Sequence, residues 1–197
     1  MNLRLTALRV YLPSSLRNER LRELFHLTAE AFRTPMPDTG GLSHFEELRS
    51  YAIFTREQAQ QVNTERDMDS LKRRLFENAH RLGDELREQL NIETFGESLS
   101  AARLLYRALG IDFRANASGD VIIKQCYFSR FYSGQVCRLI SSLDEGLIAG
   151  LSGGGRLSFT TRISEGHPCC LAKIDFNNRD NETGNRSRHR CRWCNGG

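Results

Sequence analysis

The chain has 197 residues, 39% of them hydrophobic and 26% charged, and its 28 Lys and Arg against 24 Asp and Glu leave a formal charge of +4. That size and balance suit one globular domain, and no stretch approaches the 18 or so consecutive apolar residues of a membrane span. Residues 1–178 hold 23 basic and 22 acidic side chains, whereas 179–197 hold five Arg and two acids, so the excess belongs to a tail and a near-neutral body argues against dedicated nucleic-acid binding.

The first 18 residues carry Arg4, Arg9 and Arg17 without an acid, the composition of a mitochondrial transit peptide, against which Pro13 and the short length weigh. A secretory signal fits less well, because Arg4 and Arg9 interrupt the apolar run. The expected compartment is the cytoplasm. Its redox state makes the six cysteines reduced thiols or metal ligands rather than disulfides, and the sequons at Asn181 and Asn185 chance matches.

From Glu19 the positions Leu21, Leu24, Phe25, Thr28, Ala29 and Phe32 recur at helical spacing, and Pro35 and Pro37 close the segment. Ser43 with Glu46, Thr55 with Gln58, and Thr94 with Glu97 each match the capping box, so three further helix starts are expected there. Met68, Leu71, Leu75, Ala79, Leu82, Leu86 and Leu90 form a stripe interrupted by Gly83, and Phe95 to Leu109 makes another helix ended by Gly110. The period then changes. Ile111, Phe113 and Ala115 alternate with polar neighbours, Ser118-Gly119-Asp120 supplies a turn, and Val121 to Phe128 is a second strand of a hairpin. Residues 131–151 return to helical spacing, and Gly153-Gly154-Gly155 ends that helix. Leu157 to Ile163 and Cys170 to Phe176 then alternate on either side of a Glu165-Gly166-His167-Pro168 turn.

The expected fold is α+β, a helical N-terminal half followed by a ββαββ unit whose antiparallel sheet is covered by helices. The expected layout is a single domain over 1–178, mainly helical over 1–110 and sheet-containing over 111–178. A basic, flexible, cysteine-containing tail follows over 179–197.

No cysteine occurs before Cys126, which confines thiol chemistry to the C-terminal third. Cys126 lies at the second strand's end, Cys137 on the following helix, and Cys170 at the start of the last strand. Period two points Cys170 inward and Cys169 outward. Asp144 shares a helix face with Cys137, Ile140, Ile148 and Leu151, so an acid sits two turns from a thiol in a mostly apolar stripe. Desolvation there raises a carboxyl's pKa into the range of general acid or base work. The plainer alternative makes the cysteines small core hydrophobes and Asp144 a capped or exposed residue.

A metal centre is a further reading. Cys126, Cys137, Cys169 and Cys170 number the four ligands that zinc or an iron-sulfur cluster needs, although their spacing matches no ligand motif. In the tail His189, Cys191 and Cys194 form H-x-C-x-x-C, with flanking Arg residues that lower thiol pKa values. Ser152 to Arg156 lacks the Lys-Ser/Thr of a phosphate loop and follows a helix, so it reads as a helix cap. Tyr127, Phe128, Phe131 and Tyr132, with Arg130 among them, are candidates to line a ligand pocket.

Cys126 at a strand end, Cys137 and Asp144 on the next helix, Gly150 with Leu151, Thr161, Glu165-Gly166 and Cys170 before an alternating strand together carry a resemblance. Over Cys126 to about Phe176 the chain resembles the L-2-amino-thiazoline-4-carboxylic acid hydrolase family and, more distantly, 4-vinyl reductase ligand-binding domains. The resemblance implies a hydrolase that opens a small cyclic amidine derived from an amino acid. In it Cys137 or Cys126 is nucleophile or electrostatic partner, Asp144 is general base or acid, and Arg162 or Arg130 holds a carboxylate, with Tyr127 and Glu165 in the binding set. The alternatives are a non-catalytic small-molecule sensor or carrier, and a cysteine-ligated metal or iron-sulfur protein. The expected partner is a small molecule, with neither nucleic acid nor membrane, and a homo-oligomer is compatible with all three readings.

Overall fold

Four helices lead into a four-stranded sheet in the computed structural model, which describes residue 5 and residues 13–62 and 64–176. Helix α1 spans Ser14–Phe32, α2 His44–Gln60, α3 Glu65–Gln89 and α4 Phe95–Ala108. Strands β1 (Ile111–Ala115) and β2 (Asp120–Cys126) form the first hairpin, and a 3-10 turn over Tyr127–Arg130 leads to α5 (Gly134–Ser152). Strand β3 (Arg156–Thr161), a second 3-10 turn over Ile163–Glu165, and β4 (Cys170–Asp175) complete the chain's described part. The chain is an α+β protein with one antiparallel sheet of order β1-β2-β4-β3. The tail residues His189, Cys191 and Cys194, the sequons at Asn181 and Asn185, and most of the first 12 residues lie outside the described residues.

Local signals explain most of these boundaries. Ser43 and Thr94 each accept the backbone N–H three residues on while Glu46 and Glu97 reach back, so both capping boxes form as expected. The third does not. Thr55 lies in the middle of α2, fully buried, and its hydroxyl donates to the Tyr51 carbonyl at 2.8 Å. Burial against Tyr132, whose hydroxyl it meets, outweighs the sequence pattern, and the helix runs through. The strand expected to reach Phe128 ends at Cys126, because residues 127–130 wind into a 3-10 turn before Ser133 caps α5.

One sheet face is covered. Ile111, Phe113, Val121, Ile123, Leu157, Cys170, Ala172 and Ile174 are buried, while Arg114, Lys124, Ser158 and Thr160 on the other face are exposed. Helix α5 is apolar nearly all round and lies against α3 with very close backbones. A Cβ on Gly146 would stand 2.2 Å from the Phe76 carbonyl oxygen, and one on Gly150 would stand 2.3 Å from that of His80. Gly83, which breaks the hydrophobic stripe of α3, has the same explanation: its missing Cβ would meet the Leu147 carbonyl oxygen at 2.6 Å.

The first two helices are tied by a buried carboxylate. Glu47 has no exposed side-chain surface, and its Oε1 accepts from Arg22 Nε at 2.9 Å and from Thr39 Oγ1 at 3.2 Å. Removing one partner of a buried pair strands the other charge. Arg22→Ala is therefore expected to destabilise the fold by about 3 kcal/mol in urea unfolding, the low end for such pairs because Arg22 is itself half exposed. A loss below about 1 kcal/mol, the worth of an ordinary surface pair, would show that the pair carries no such load.

Candidate active site

Helix α5 places Cys137 and Asp144 on one side, and three other elements bring partners to them. From α4, the Tyr106 hydroxyl donates to Asp144 Oδ1 at 2.8 Å. Tyr106 is buried and stacks on Phe113 of β1, with centroids 4.6 Å apart and planes 10° from parallel, so its hydroxyl is held in place. From the segment after β3, the Arg162 guanidinium sits 4.2 Å over the Phe159 ring. Strand β4 begins at Cys170, whose Sγ receives the Ile163 N–H at 3.3 Å.

These groups feel one another. Burial pushes the Asp144 carboxyl up to about 6, against the Tyr106 hydrogen bond and the Arg162 charge, which pull it down. Asp144 nevertheless keeps a partial opening to solvent, so dense protein surrounds it without sealing it. Burial pushes the Cys126 thiol up to about 12, and the charges of Asp144 and Cys137 add to the rise. The Cys137 thiol is raised by burial and by Asp144, while the Ser164 hydroxyl and the Arg162 charge oppose that rise. Cys170 is raised by burial, relieved by the Ile163 N–H, and raised again by Cys137 and Asp144. Cys126, Cys137 and Cys170 therefore converge on one neighbourhood, with Asp144 common to all three.

A wall of aromatic and hydroxyl groups backs the cluster. Tyr132 stacks on Phe128 at 5.5 Å, and Tyr51 meets Phe128 edge-on at 5.8 Å. The hydroxyls of Tyr51 and Tyr132 pair with those of Thr28 and Thr55, so the wall's polar atoms are satisfied inside the core. The Ser164 oxygen is buried and makes no hydrogen bond of good geometry, although it lies near enough to Cys137 to lower that thiol's pKa.

The other expected site residues make contacts of their own. Tyr127 packs among Phe45, Phe128 and Phe131. Arg130 is exposed at the end of its 3-10 turn. Glu165 forms an ion pair with Arg138 at the surface. Cys169, expected to point outward, is as buried as Cys170 at 7%, because it precedes the first residue of β4 and escapes the period-two rule. Its carbonyl accepts from the Thr161 hydroxyl at 3.1 Å.

Among the described residues no three His, Cys, Asp or Glu side chains are arranged to hold a metal ion. Cys126, Cys137, Cys169 and Cys170 therefore form no such group.

Sequence reasoning missed Tyr106 and Ser164. Tyr106 carries a weak signal, as the one hydroxyl-bearing aromatic in an otherwise Ala- and Leu-rich helix, and Ser164 carries none. What the arrangement offers chemically is a carboxylate poised near neutrality, a nearby guanidinium, and neutral thiols against an aromatic wall. No family model matches this chain, and no curated protein matches it.

Proposed function

We propose that the protein is a hydrolase acting on a small cyclic amidine derived from an amino acid, of the L-2-amino-thiazoline-4-carboxylic acid class. The observation that carries this reading is Asp144, a carboxyl that burial pushes up to about 6, hydrogen-bonded by Tyr106 and within reach of the Arg162 charge. In this reading Arg162 binds the substrate carboxylate and turns the ring toward Asp144. Ionised Asp144 takes a proton from water as the water oxygen adds to the amidine carbon. The tetrahedral carbon then expels one ring heteroatom, which receives that proton back, and the sum is substrate plus water to opened product. Cys126 and Cys137 stay protonated and shape the pocket, because a thiol raised by burial yields its proton poorly to a carboxylate of pKa about 6.

The test is incubation of the purified protein with L-2-amino-thiazoline-4-carboxylic acid, followed by mass spectrometry of the small molecules. Consumption of the substrate is expected. Cys137→Ser is expected to keep activity within about tenfold, the range of a group that shapes a pocket rather than reacts. Loss of activity with a covalent adduct on Cys137 would make that thiol the nucleophile and remove water from the first step. An inert protein that co-purifies with a bound small molecule would replace the hydrolase by the carrier reading, which the aromatic wall of Tyr51, Phe128 and Tyr132 also suits.

A further inference from the structure

Among the described residues, helix α3 keeps one long face that no other element covers. A cleft of about 430 Å³ runs along it from Phe76 to Glu88, lined by α3 side chains. Phe76 and His80 form its floor, both half-buried and with ring centroids 5.8 Å apart. Its rim is acidic. Asp84 is taken by His80 at 3.0 Å, and the one arginine of the lining, Arg81, reaches Glu30 of α1 at 3.6 Å. Glu77, Glu85 and Glu88 are exposed and form no ion pair among the described residues. Glu88 stands three residues from Glu85 and four from Asp84, spacings at which like charges on a helix repel unless a cation lies over them.

The chain carries that counter-charge itself. Phe176, the last described residue, lies at the C-terminal end of this face. Its ring packs on Phe95 at 5.1 Å and would stand 3.2 Å from a Cβ on Gly155, while Arg87 of α3 packs against Gly153. Residues 177–185 follow, and then Arg186, Arg188, Arg190 and Arg192 come without an acid among them, ending on Trp193, the single tryptophan of the chain. Nine residues reach about 30 Å, and the next seven span up to about 23 Å. The helix from Glu88 back to Phe76 measures about 18 Å, so the arginine run is long enough to cover it. We propose that residues 186–193 dock on this face of α3, entering at its C-terminal end and running antiparallel to it. The arginines lie over Glu88, Glu85 and Glu77, and Trp193 rests on the Phe76–His80 floor. Guanidinium forks match carboxylates, and indole packs on aromatic rings. Attachment to the same chain raises the local concentration to the millimolar range, which favours the chain's own segment over a neighbour's.

The test reads Trp193 in the full chain by acrylamide quenching of its fluorescence. Quenching is expected to rise at least about twofold between about 20 mM and about 500 mM salt, because screening at the higher salt releases the arginines. Glu85→Lys combined with Glu88→Lys is expected to show the high-salt quenching already at low salt. Glu57→Lys, a reversal on the exposed surface of α2, is expected to behave as the parent does. Arg188→Glu combined with Arg190→Glu leaves α3 intact and is expected to release the indole likewise. All four reversals together are expected to restore the low-salt protection, an outcome that a misfolded helix could not produce. The proposal is overturned by quenching that ignores salt and both pairs of reversals, or by a fourfold variant that stays unprotected. Protection that vanishes on dilution, with a doubled mass in light scattering, would also overturn it and assign the face to the tail of a second copy.

Discussion

Asp144→Asn is expected to lower turnover of the cyclic amidine by 100-fold or more, the usual worth of a general base, while leaving a folded protein. Asparagine keeps an oxygen to accept the Tyr106 hydroxyl, so the local geometry survives the change. The parent's kcat/KM is expected to rise with pH through about 6 and then level, because the base acts when ionised and its pKa is about 6. Tyr106→Phe removes a hydrogen bond that favours the ionised form, so it is expected to move that inflection upward. A merely structural Tyr106 would change stability and leave the inflection in place.

The same group makes a second, independent prediction about stability. The folded-state pKa of Asp144 lies above its ordinary value of 3.8, so between about pH 4 and 6 the folded chain holds a proton that the unfolded chain has lost. Stability from this group is therefore complete below pH 4, falls as pH rises to 6, and stays low above it. Asp144→Asn has no such group. Its stability relative to the parent is expected to improve from pH 4 to pH 7 by roughly 2 kcal/mol, after discounting the full shift for the residue's partial exposure. Chemical unfolding of both proteins at several pH values reads this difference directly. A flat difference would show that the carboxyl is solvated in the folded protein, and the general-base assignment would lose its physical ground.

Gly146→Ala is expected to cost about 3 kcal/mol or more, at the upper end for an overpacked core, and Gly150→Ala a similar amount. In each case the new methyl would collide with a carbonyl oxygen of α3, at 2.2 Å and 2.3 Å, and backbone cannot swing aside as a long side chain does. The helices must separate instead. Since α5 carries both Cys137 and Asp144, separation also moves the acid away from Tyr106. Variants that remain folded are thus expected to lose activity together with the elevated inflection of the pH profile. The measurement is thermal and urea unfolding with activity on the same samples. Gly96→Ala, at a site where a Cβ meets nothing within 4 Å, serves as the control and is expected to be neutral or slightly stabilising. A Gly146→Ala protein as stable as this control would show that the two helices are not locked at that point.

How much of this was legible beforehand differs from element to element. The capping boxes at Ser43 and Thr94, the alternation in the strands and the helical stripe of α3 all set structure through neighbours within a few residues, and each appears where the pattern places it, except that β2 stops at Cys126 and β3 at Thr161, where 3-10 turns replace the expected strand ends. Thr55 carries the same local pattern as Ser43 and fails, because its environment is decided by Tyr132, 77 residues away. Gly83 and Gly146 look like weaknesses in their helices, and their reason is visible only when α3 and α5 lie together.

The candidate site follows the same division. By itself the sequence determined an α+β fold, the confinement of the thiols to the last third, and the shared helix face of Cys137 and Asp144, since all three depend on composition or on a fixed backbone period. Tertiary structure alone decided that Tyr106 holds Asp144, that Arg162 rather than Arg130 joins the cluster, and that Cys126, Cys137 and Cys170 share it. Those outcomes depend on distances between elements far apart in the chain. Such distances are set by how closely α3, α4, α5 and the sheet pack, a property of the whole core that no short stretch of residues encodes.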